Sequence, residues 1–144
     1  MDFLAALGTH SILELYGCPP ELLNDEFQVK AFVREAATKA RCTILGEISH
    51  SFQPQGVTAI VLLAESHISV HTWPEVGYAA VDVFTCGSKT MPEDACRYLA
   101  HMFEARSHNL KSIPRGAKAP RPELERKPTP DLGGTSKSLA AADQ

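Results

Sequence analysis

A stretch of thirteen residues near the middle of the chain concentrates side chains that can do chemistry. It reads LAESHISVHTWPE from Leu63 to Glu75 and contains one hydroxyl nucleophile, Ser66, and two imidazoles, His67 and His71. Shortly after it, the segment VDVFTCG brings a thiol, Cys86. No glycine pattern for nucleotide binding and no cluster with metal-ligand spacing accompanies these groups. Such a set suits chemistry done by the polypeptide itself.

The two histidines form an H-x-x-x-H pair, which on a helix would suggest a zinc site. The alternation of polar and apolar residues over positions 67–73 instead predicts a strand. On a strand, His67 and His71 would share one face but lie about 13 Å apart, too far to hold one metal ion. Taken alone, these groups also have ordinary explanations: a surface or capping histidine, a turn serine at Ser66 and a small buried hydrophobe at Cys86.

Hydrophobic periodicity predicts the elements that must position these side chains. A helix is expected over residues 24–40, capped by Asn24 or Asp25, and a second helix begins near Thr90 with a capping box, Thr90-Met-Pro-Glu93. Five strands are expected, over residues 8–16, 43–48, 57–64, 67–73 and 79–85. This pattern predicts an α+β two-layer sandwich, an antiparallel sheet with both helices on one face. The other face must be covered, and a dimer that stacks sheet on sheet is one solution.

Composition sets further limits. The chain has 144 residues, 44% of them hydrophobic and 22% charged, as expected for a globular domain. No run approaches the ~18 apolar residues of a membrane span, and the N-terminus has no signal-peptide pattern. We therefore expect a cytoplasmic protein that does not bind membranes, with its four cysteines reduced. Their spacing does not favour zinc.

Charged residues and prolines are distributed unevenly along the chain. Residues 1–104 hold 6 Lys+Arg against 13 Asp+Glu, whereas residues 105–144 hold 8 against 4. An acidic body favours a small cationic substrate over nucleic acid, although it could equally serve solubility. Five of the ten prolines lie from Pro114 to Pro130. We expect a catalytic domain over residues 1–113 and a disordered tail over residues 114–144.

The segments ESHISVHTWPE and FTCG, supported by GTHSILELYGC and PQGV, closely resemble the bacterial type of S-adenosylmethionine decarboxylase proenzyme. The resemblance runs from about Gly8 to Ala105. It implies that the chain cuts its own backbone at the Glu65–Ser66 bond. The Ser66 hydroxyl would attack the preceding carbonyl to form an ester, and β-elimination and hydrolysis would then leave a pyruvoyl group. Such a cut needs a strained peptide, donors for an oxyanion and a proton shuttle.

The resemblance also implies roles for five other residues. His71 matches the position that transfers protons during processing, and Cys86 matches the proton donor in decarboxylation. Thr58 stands where the family usually has a serine that supports processing. Phe52 and Glu75 match the adenine-stacking aromatic and the ribose-binding carboxylate, while His67 matches no position with an assigned role.

The implied activity is decarboxylation of S-adenosylmethionine to the aminopropyl donor for spermidine synthesis. The pyruvoyl group made from Ser66 would form a Schiff base with the substrate and act as electron sink, without a metal or pyridoxal phosphate. The resemblance also implies a homodimer of cleaved units with sites near the subunit contact. Two alternatives are a pyruvoyl decarboxylase of the same fold acting on ornithine or arginine, and an uncleaved regulatory paralogue. Phe52 and Glu75 favour the nucleoside substrate over the first.

Overall fold

A single antiparallel sheet of six strands carries the candidate residues. The computed structural model of the protein describes residues 6–87 and 89–120. In chain order the strands are β1 (Gly8–Tyr16), β2 (Ile44–Ser51), β3 (Val57–Leu63), β4 (Ser66–Trp73), β5 (Tyr78–Cys86) and β6 (Ser107–Arg115). The helices are α1 (Pro20–Leu23), α2 (Glu26–Lys39) and α3 (Pro92–Met102), and a 3-10 helix covers Pro74–Val76. The spatial order of the strands is β2-β3-β4-β5-β1-β6. The predicted α+β class is confirmed.

The core lies between one face of this sheet and helices α2 and α3. Buried and more exposed residues alternate along the strands, so that one face of each strand packs against the helices. In β1, Leu13 and Leu15 are buried on that face. The rings of Phe32 on α2 and Phe103 after α3 meet edge to face with centroids 5.1 Å apart. Within residues 6–87 and 89–120, no helix lies over the opposite face, which we call the open face. None of the helices in this part of the chain is long and apolar enough to cross a membrane.

Of the two predicted helix N-terminal caps, one is confirmed and one is wrong. Asp25 caps α2, because its side chain accepts a hydrogen bond from the backbone N–H of Gln28 at 3.1 Å. The predicted capping box of α3 is wrong, since Met91 is the N-cap and no side chain caps that end. The Thr90 hydroxyl instead donates to the carbonyls of Cys86 and Gly87, both at 3.4 Å. Thr90 therefore ties α3 to the end of β5.

Strand β6 was not expected from the sequence. It pairs with β1 over its whole length but is exposed at every position except Ile113. Because this strand has no buried face, its sequence does not alternate between apolar and polar residues as that of a half-buried strand does. It contains Pro114, which an edge strand tolerates because one side of it needs no ladder hydrogen bonds. The sheet therefore extends to Arg115, two residues beyond the boundary predicted at 113. Of the predicted tail, residues 121–144 lie outside the described residues.

Candidate active site

The turn between β3 and β4 holds the bond at which the sequence predicts cleavage. Leu63 pairs with Ser66, so Ala64 and Glu65 form a two-residue link between the strands. Glu65 has a φ of 80°, a value that turns normally assign to glycine. An L-residue with a side chain in this region costs about 1 kcal/mol or more. The backbone is therefore strained at the residue whose carbonyl precedes Ser66.

The thiol of Cys86 lies beside this turn. Cys86 ends β5, and the pairing of β4 with β5 brings it next to Glu65. Its Sγ donates a hydrogen bond to the carbonyl oxygen of Glu65 at 3.4 Å. That oxygen would become the oxyanion if the Ser66 hydroxyl attacked the carbonyl carbon. Glu65, Ser66 and Cys86 thus form a first group, at the end of the sheet where β3 turns into β4.

A second group surrounds His71. His71 on β4 faces Thr58 on β3, and Thr58 Oγ1 lies 2.9 Å from His71 Nδ1. The β2–β3 loop lies at the same end, where Phe52 packs against the ring of His50 with centroids 4.6 Å apart. Glu75 lies in the 3-10 helix that follows β4. Thr58, His71, Phe52 and Glu75 therefore gather at the end of the β3–β4 hairpin opposite the turn.

The two groups are separate within one chain. His71 is five residues after Ser66 on β4, which corresponds to about 16 Å along an extended strand. A proton cannot pass directly between groups that far apart, because transfer needs hydrogen-bond contact. Cys86 and His71 both occupy open-face positions by strand alternation. The structure gathers the seven predicted site residues into two half-sites, one at each end of the β3–β4 hairpin.

A polar cluster between the half-sites was missed by the sequence analysis. His10 Nε2 lies 2.9 Å from Asp82 Oδ1, and Ser69 Oγ donates to Asp82 Oδ2 at 3.4 Å. His67 lies next to them, its ring 6.0 Å from that of Phe84. Burial lowers the pKa of His67, an effect that the nearby Asp82 carboxylate partly opposes. Alternation places these side chains on one face of their strands, but only the strand register shows that they meet.

Aromatic and aliphatic side chains make up much of the rest of the open face. The ring of Tyr78 lies 5.6 Å from that of Tyr16 and 5.4 Å from that of Trp73. The Tyr78 hydroxyl donates to Glu14, and this bond is the main reason that the pKa of Tyr78 is raised to about 12. Exposed apolar residues of the face include Tyr16, Ile48, Ile60, Leu62 and Trp73. An exposed apolar patch of this kind commonly marks an interaction surface.

The four cysteines are thiols rather than disulfides, and they differ in their surroundings. Burial raises the pKa of Cys18 to about 11 and that of Cys96 to about 12, so these thiols stay protonated and unreactive near neutral pH. Cys86 is only half-buried and faces the strained turn. In residues 6–87 and 89–120, no three or more His, Cys, Asp or Glu side chains are grouped so as to hold a metal ion.

Comparison with known proteins gives consistent results. The family described as S-adenosylmethionine decarboxylase matches residues 9–116. The S-adenosylmethionine decarboxylase proenzyme of Synechococcus sp. (strain WH7803) is 54% identical over 122 residues, which cover 85% of this chain and 95% of that protein. The proenzyme of Moorella thermoacetica is 48% identical over 117 residues, covering 81% of this chain and 94% of that protein. The crystal structure of the adenosylmethionine decarboxylase from Aquifex aeolicus VF5 superposes with a TM-score of 0.73 at 32% identity, over 84% of this chain and 98% of that one.

Proposed function

The chain belongs to the S-adenosylmethionine decarboxylase family, and we propose that it gains its activity by cutting its own backbone between Glu65 and Ser66. One observation carries the proposal. The Cys86 thiol donates to the carbonyl oxygen of Glu65, the residue held at a φ of 80° immediately before Ser66. Strain in the peptide and a donor on its carbonyl oxygen are two of the requirements of an attack by the Ser66 hydroxyl.

Processing begins with attack of Ser66 Oγ on the carbonyl carbon of Glu65. The hydroxyl proton leaves, the C–N bond of the peptide breaks, the nitrogen takes up a proton, and Glu65 becomes linked to Ser66 through an ester. Loss of the α-proton of residue 66 then expels the Glu65 carboxylate, and hydrolysis of the remaining dehydroalanine releases ammonia. The product is a pyruvoyl group on a new chain that begins at residue 66. The Cys86 thiol stabilises the negative oxygen in the first step.

His71 is the proton-transfer group in this account. Its contact with Thr58 at 2.9 Å fixes the ring through Nδ1 and directs Nε2 away from Thr58. Threonine makes this contact through the same kind of hydroxyl as the family's usual serine. The strained bond lies about 16 Å away on the same strand, so the ring must serve a bond in another chain.

We infer that two copies stack through their open faces and complete each other's sites. A two-fold arrangement of this kind places the Thr58 and His71 half-site of one protomer against the Glu65, Ser66 and Cys86 half-site of its partner. It also covers exposed apolar residues such as Ile48 and Leu62, which are 68% and 54% exposed. The separation of the half-sites thus supports a homodimer, in addition to the uncovered sheet face.

Decarboxylation follows the cut and uses Cys86 a second time. The pyruvoyl group supplies an electron-accepting carbonyl that stabilises the carbanion left when carbon dioxide departs. Phe52 offers a ring face for adenine, and the Glu75 carboxylate can accept hydrogen bonds from both ribose hydroxyls. Cys86 returns a proton to the α-carbon. This role needs a reduced thiol, which suits a cytoplasmic protein.

The substrate is tested by measuring carbon dioxide release from S-adenosylmethionine, ornithine and arginine side by side. We expect release from S-adenosylmethionine alone, and none from the Ser66→Ala variant. Glu75→Gln should lower kcat/KM by roughly tenfold or more, since a hydrogen bond to a charged group contributes about 1.5–3 kcal/mol. Glu21→Gln on α1 is the matched control and should have no effect. Preference for ornithine or arginine would refute the nucleoside pocket.

The shared site is tested by co-expressing two inactive variants with different tags. His71→Ala alone should stay uncut, because it lacks the proton-transfer group, and Ser66→Ala alone should stay uncut because it lacks the nucleophile. In a mixed dimer, the intact His71 of the Ser66→Ala chain meets the intact Ser66 of the His71→Ala chain. We therefore expect the His71→Ala chain to be cut only after co-expression. If it remains uncut, the site does not combine residues of two protomers.

A further inference from the structure

A row of three residues runs across the open face beside the scissile bond. Gly8 on β1 pairs with Cys86 on β5 on one side and with Arg115 on β6 on the other. Cys86 and Arg115 are therefore two strands apart, about 10 Å between Cα atoms, and occupy the same face of the sheet. An extended arginine side chain spans most of that distance. Gly8 has no side chain to stand between them.

The ring of Phe84 fills the space above Gly8. A Cβ on Gly8 would lie 3.0 Å from Phe84 Cε1 and 2.9 Å from the carbonyl oxygen of Thr85, so any larger residue would displace the ring. The Arg115 guanidinium carbon lies 5.9 Å from the centre of this ring, within the range of a cation–π contact. The ring therefore contacts the guanidinium beside the row that links Arg115 to Cys86.

We propose that Arg115 is a positioning residue that acts through Cys86, holding a positive charge near the thiol and thereby favouring release of its proton. The inference rests on the proposed role of Cys86 in the reaction. When the thiol protonates the substrate, its S–H bond breaks, a C–H bond forms at the α-carbon, and a thiolate remains. The positive charge of the guanidinium stabilises that thiolate.

Other charged or titratable groups lie around Cys86. Strand register places His67 of β4 and His10 of β1 on the same face, Glu65 lies in the adjoining turn, and Lys89 follows β5 in the chain. In the proposed dimer, the partner's His71 also lies against this half-site. His67 is held toward its neutral form by burial, and His10 pairs with Asp82. Of the two cations, Arg115 and Lys89, only Arg115 is held against the Phe84 ring. The two cations must be separated by experiment.

The test is the pH dependence of Cys86 alkylation by iodoacetamide, followed by mass spectrometry of the Cys86 peptide. Full-length Ser66→Ala protein is used, because this readout does not depend on cleavage or turnover. Arg115→Gln should raise the midpoint of the alkylation curve by about one pH unit, and Arg115→Lys should restore part of that shift. Lys111→Gln, on the same strand and the same face, and Lys89→Gln should leave the midpoint unchanged. An unchanged midpoint in Arg115→Gln, or an equal shift in either control, overturns the proposal.

The consequence for turnover is measured with the Arg115→Gln change in the otherwise wild-type chain. Slower protonation at the α-carbon leaves time for protonation at the wrong carbon, which converts the pyruvoyl group to alanine. After a fixed number of turnovers, the fraction of alanine-capped chains should be several times higher in Arg115→Gln than in Lys111→Gln. Equal fractions would overturn the role of Arg115 in the reaction. Absence of cleavage and decarboxylation in the wild type would instead refute the proposed function, while the alkylation curves would still measure the effect of Arg115.

Discussion

At the scale of single residues, Cys86 combines two roles that substitution can separate. As a donor to the Glu65 carbonyl it assists the cut, and as an acid it protonates the product. Cys86→Ala should slow cleavage roughly tenfold or more, since it removes a donor from the oxyanion. Cys86→Ser keeps a donor but not an acidic group, so it should be cut faster than Cys86→Ala and yet decarboxylate slowly. Cleavage time courses and carbon dioxide release measure the two effects, and full turnover by Cys86→Ser would contradict the second role.

His67 is expected to affect the pH dependence of stability. Because burial lowers its pKa in the folded state, the unfolded chain binds a proton more readily there. The stability that comes from a neutral His67 is fully present above the histidine pKa in the unfolded chain, about 6.5. It is lost as the pH falls through the lower pKa of the folded state. In the uncut Ser66→Ala protein, the free energy of unfolding should decrease below that pH, and less steeply in His67→Gln. The exposed His108→Gln is the control, and equal slopes in all three proteins would contradict the assignment.

At the scale of elements, strain in the β3–β4 turn should lower the stability of the fold and speed cleavage. Glu65→Gly relieves the positive φ, and in the uncut Ser66→Ala protein it should raise the free energy of unfolding by up to about 1 kcal/mol. With Ser66 present, the same change should slow cleavage. Glu104, at a φ of 53° after α3, provides a matched control. Glu104→Gly should stabilise similarly and leave the cleavage rate unchanged; cleavage of Glu65→Gly at the wild-type rate would exclude strain as a contributor.

The elements also show what the sequence could and could not predict. Strands β1, β3, β4 and β5 and helix α2 were predictable because their burial follows a strand or helical period. Strand β2 was also predicted, although none of its residues is fully buried. Strand β6 was not, because its stability comes from backbone pairing with β1 rather than from a buried face. Register decides that Thr58 meets His71 and that Gly8 lies between Cys86 and Arg115, and one sequence does not reveal register. The distance between Ser66 and His71 could have been predicted from the sequence. The spacing argument that excludes a metal ion shared by His67 and His71 applies equally to Ser66 and His71.

At the scale of the whole molecule, the proposed cut does not divide the sheet into two halves. Residues before it supply β1, β2 and β3, and residues after it supply β4, β5 and β6. In space β1 lies between β5 and β6, and β3 pairs with β4, so the two chains interleave. We expect the cleaved chains to elute together in native size-exclusion chromatography and to separate only in denaturant. Separation in native buffer would contradict this topology.

The boundary of the catalytic domain follows from the same sheet. A chain ending at residue 120 keeps all six strands and should be cut and turn over S-adenosylmethionine as the full chain does. A chain ending at residue 105 lacks β6 and exposes the edge of β1. We expect that shorter chain to be poorly folded by circular dichroism and thermal melting. Loss of activity in the longer truncation would show that residues 121–144 belong to the functional unit.

The central claim is that the chain cuts itself at one bond and uses the resulting group for catalysis. Intact-mass measurement of the purified protein tests it most directly. The 144-residue chain should appear as a 65-residue piece ending at Glu65 and a 79-residue piece beginning with a pyruvoyl group in place of Ser66. Ser66→Ala should appear as one full-length, inactive chain. A wild-type protein that decarboxylates S-adenosylmethionine while remaining a single uncut chain would contradict the account.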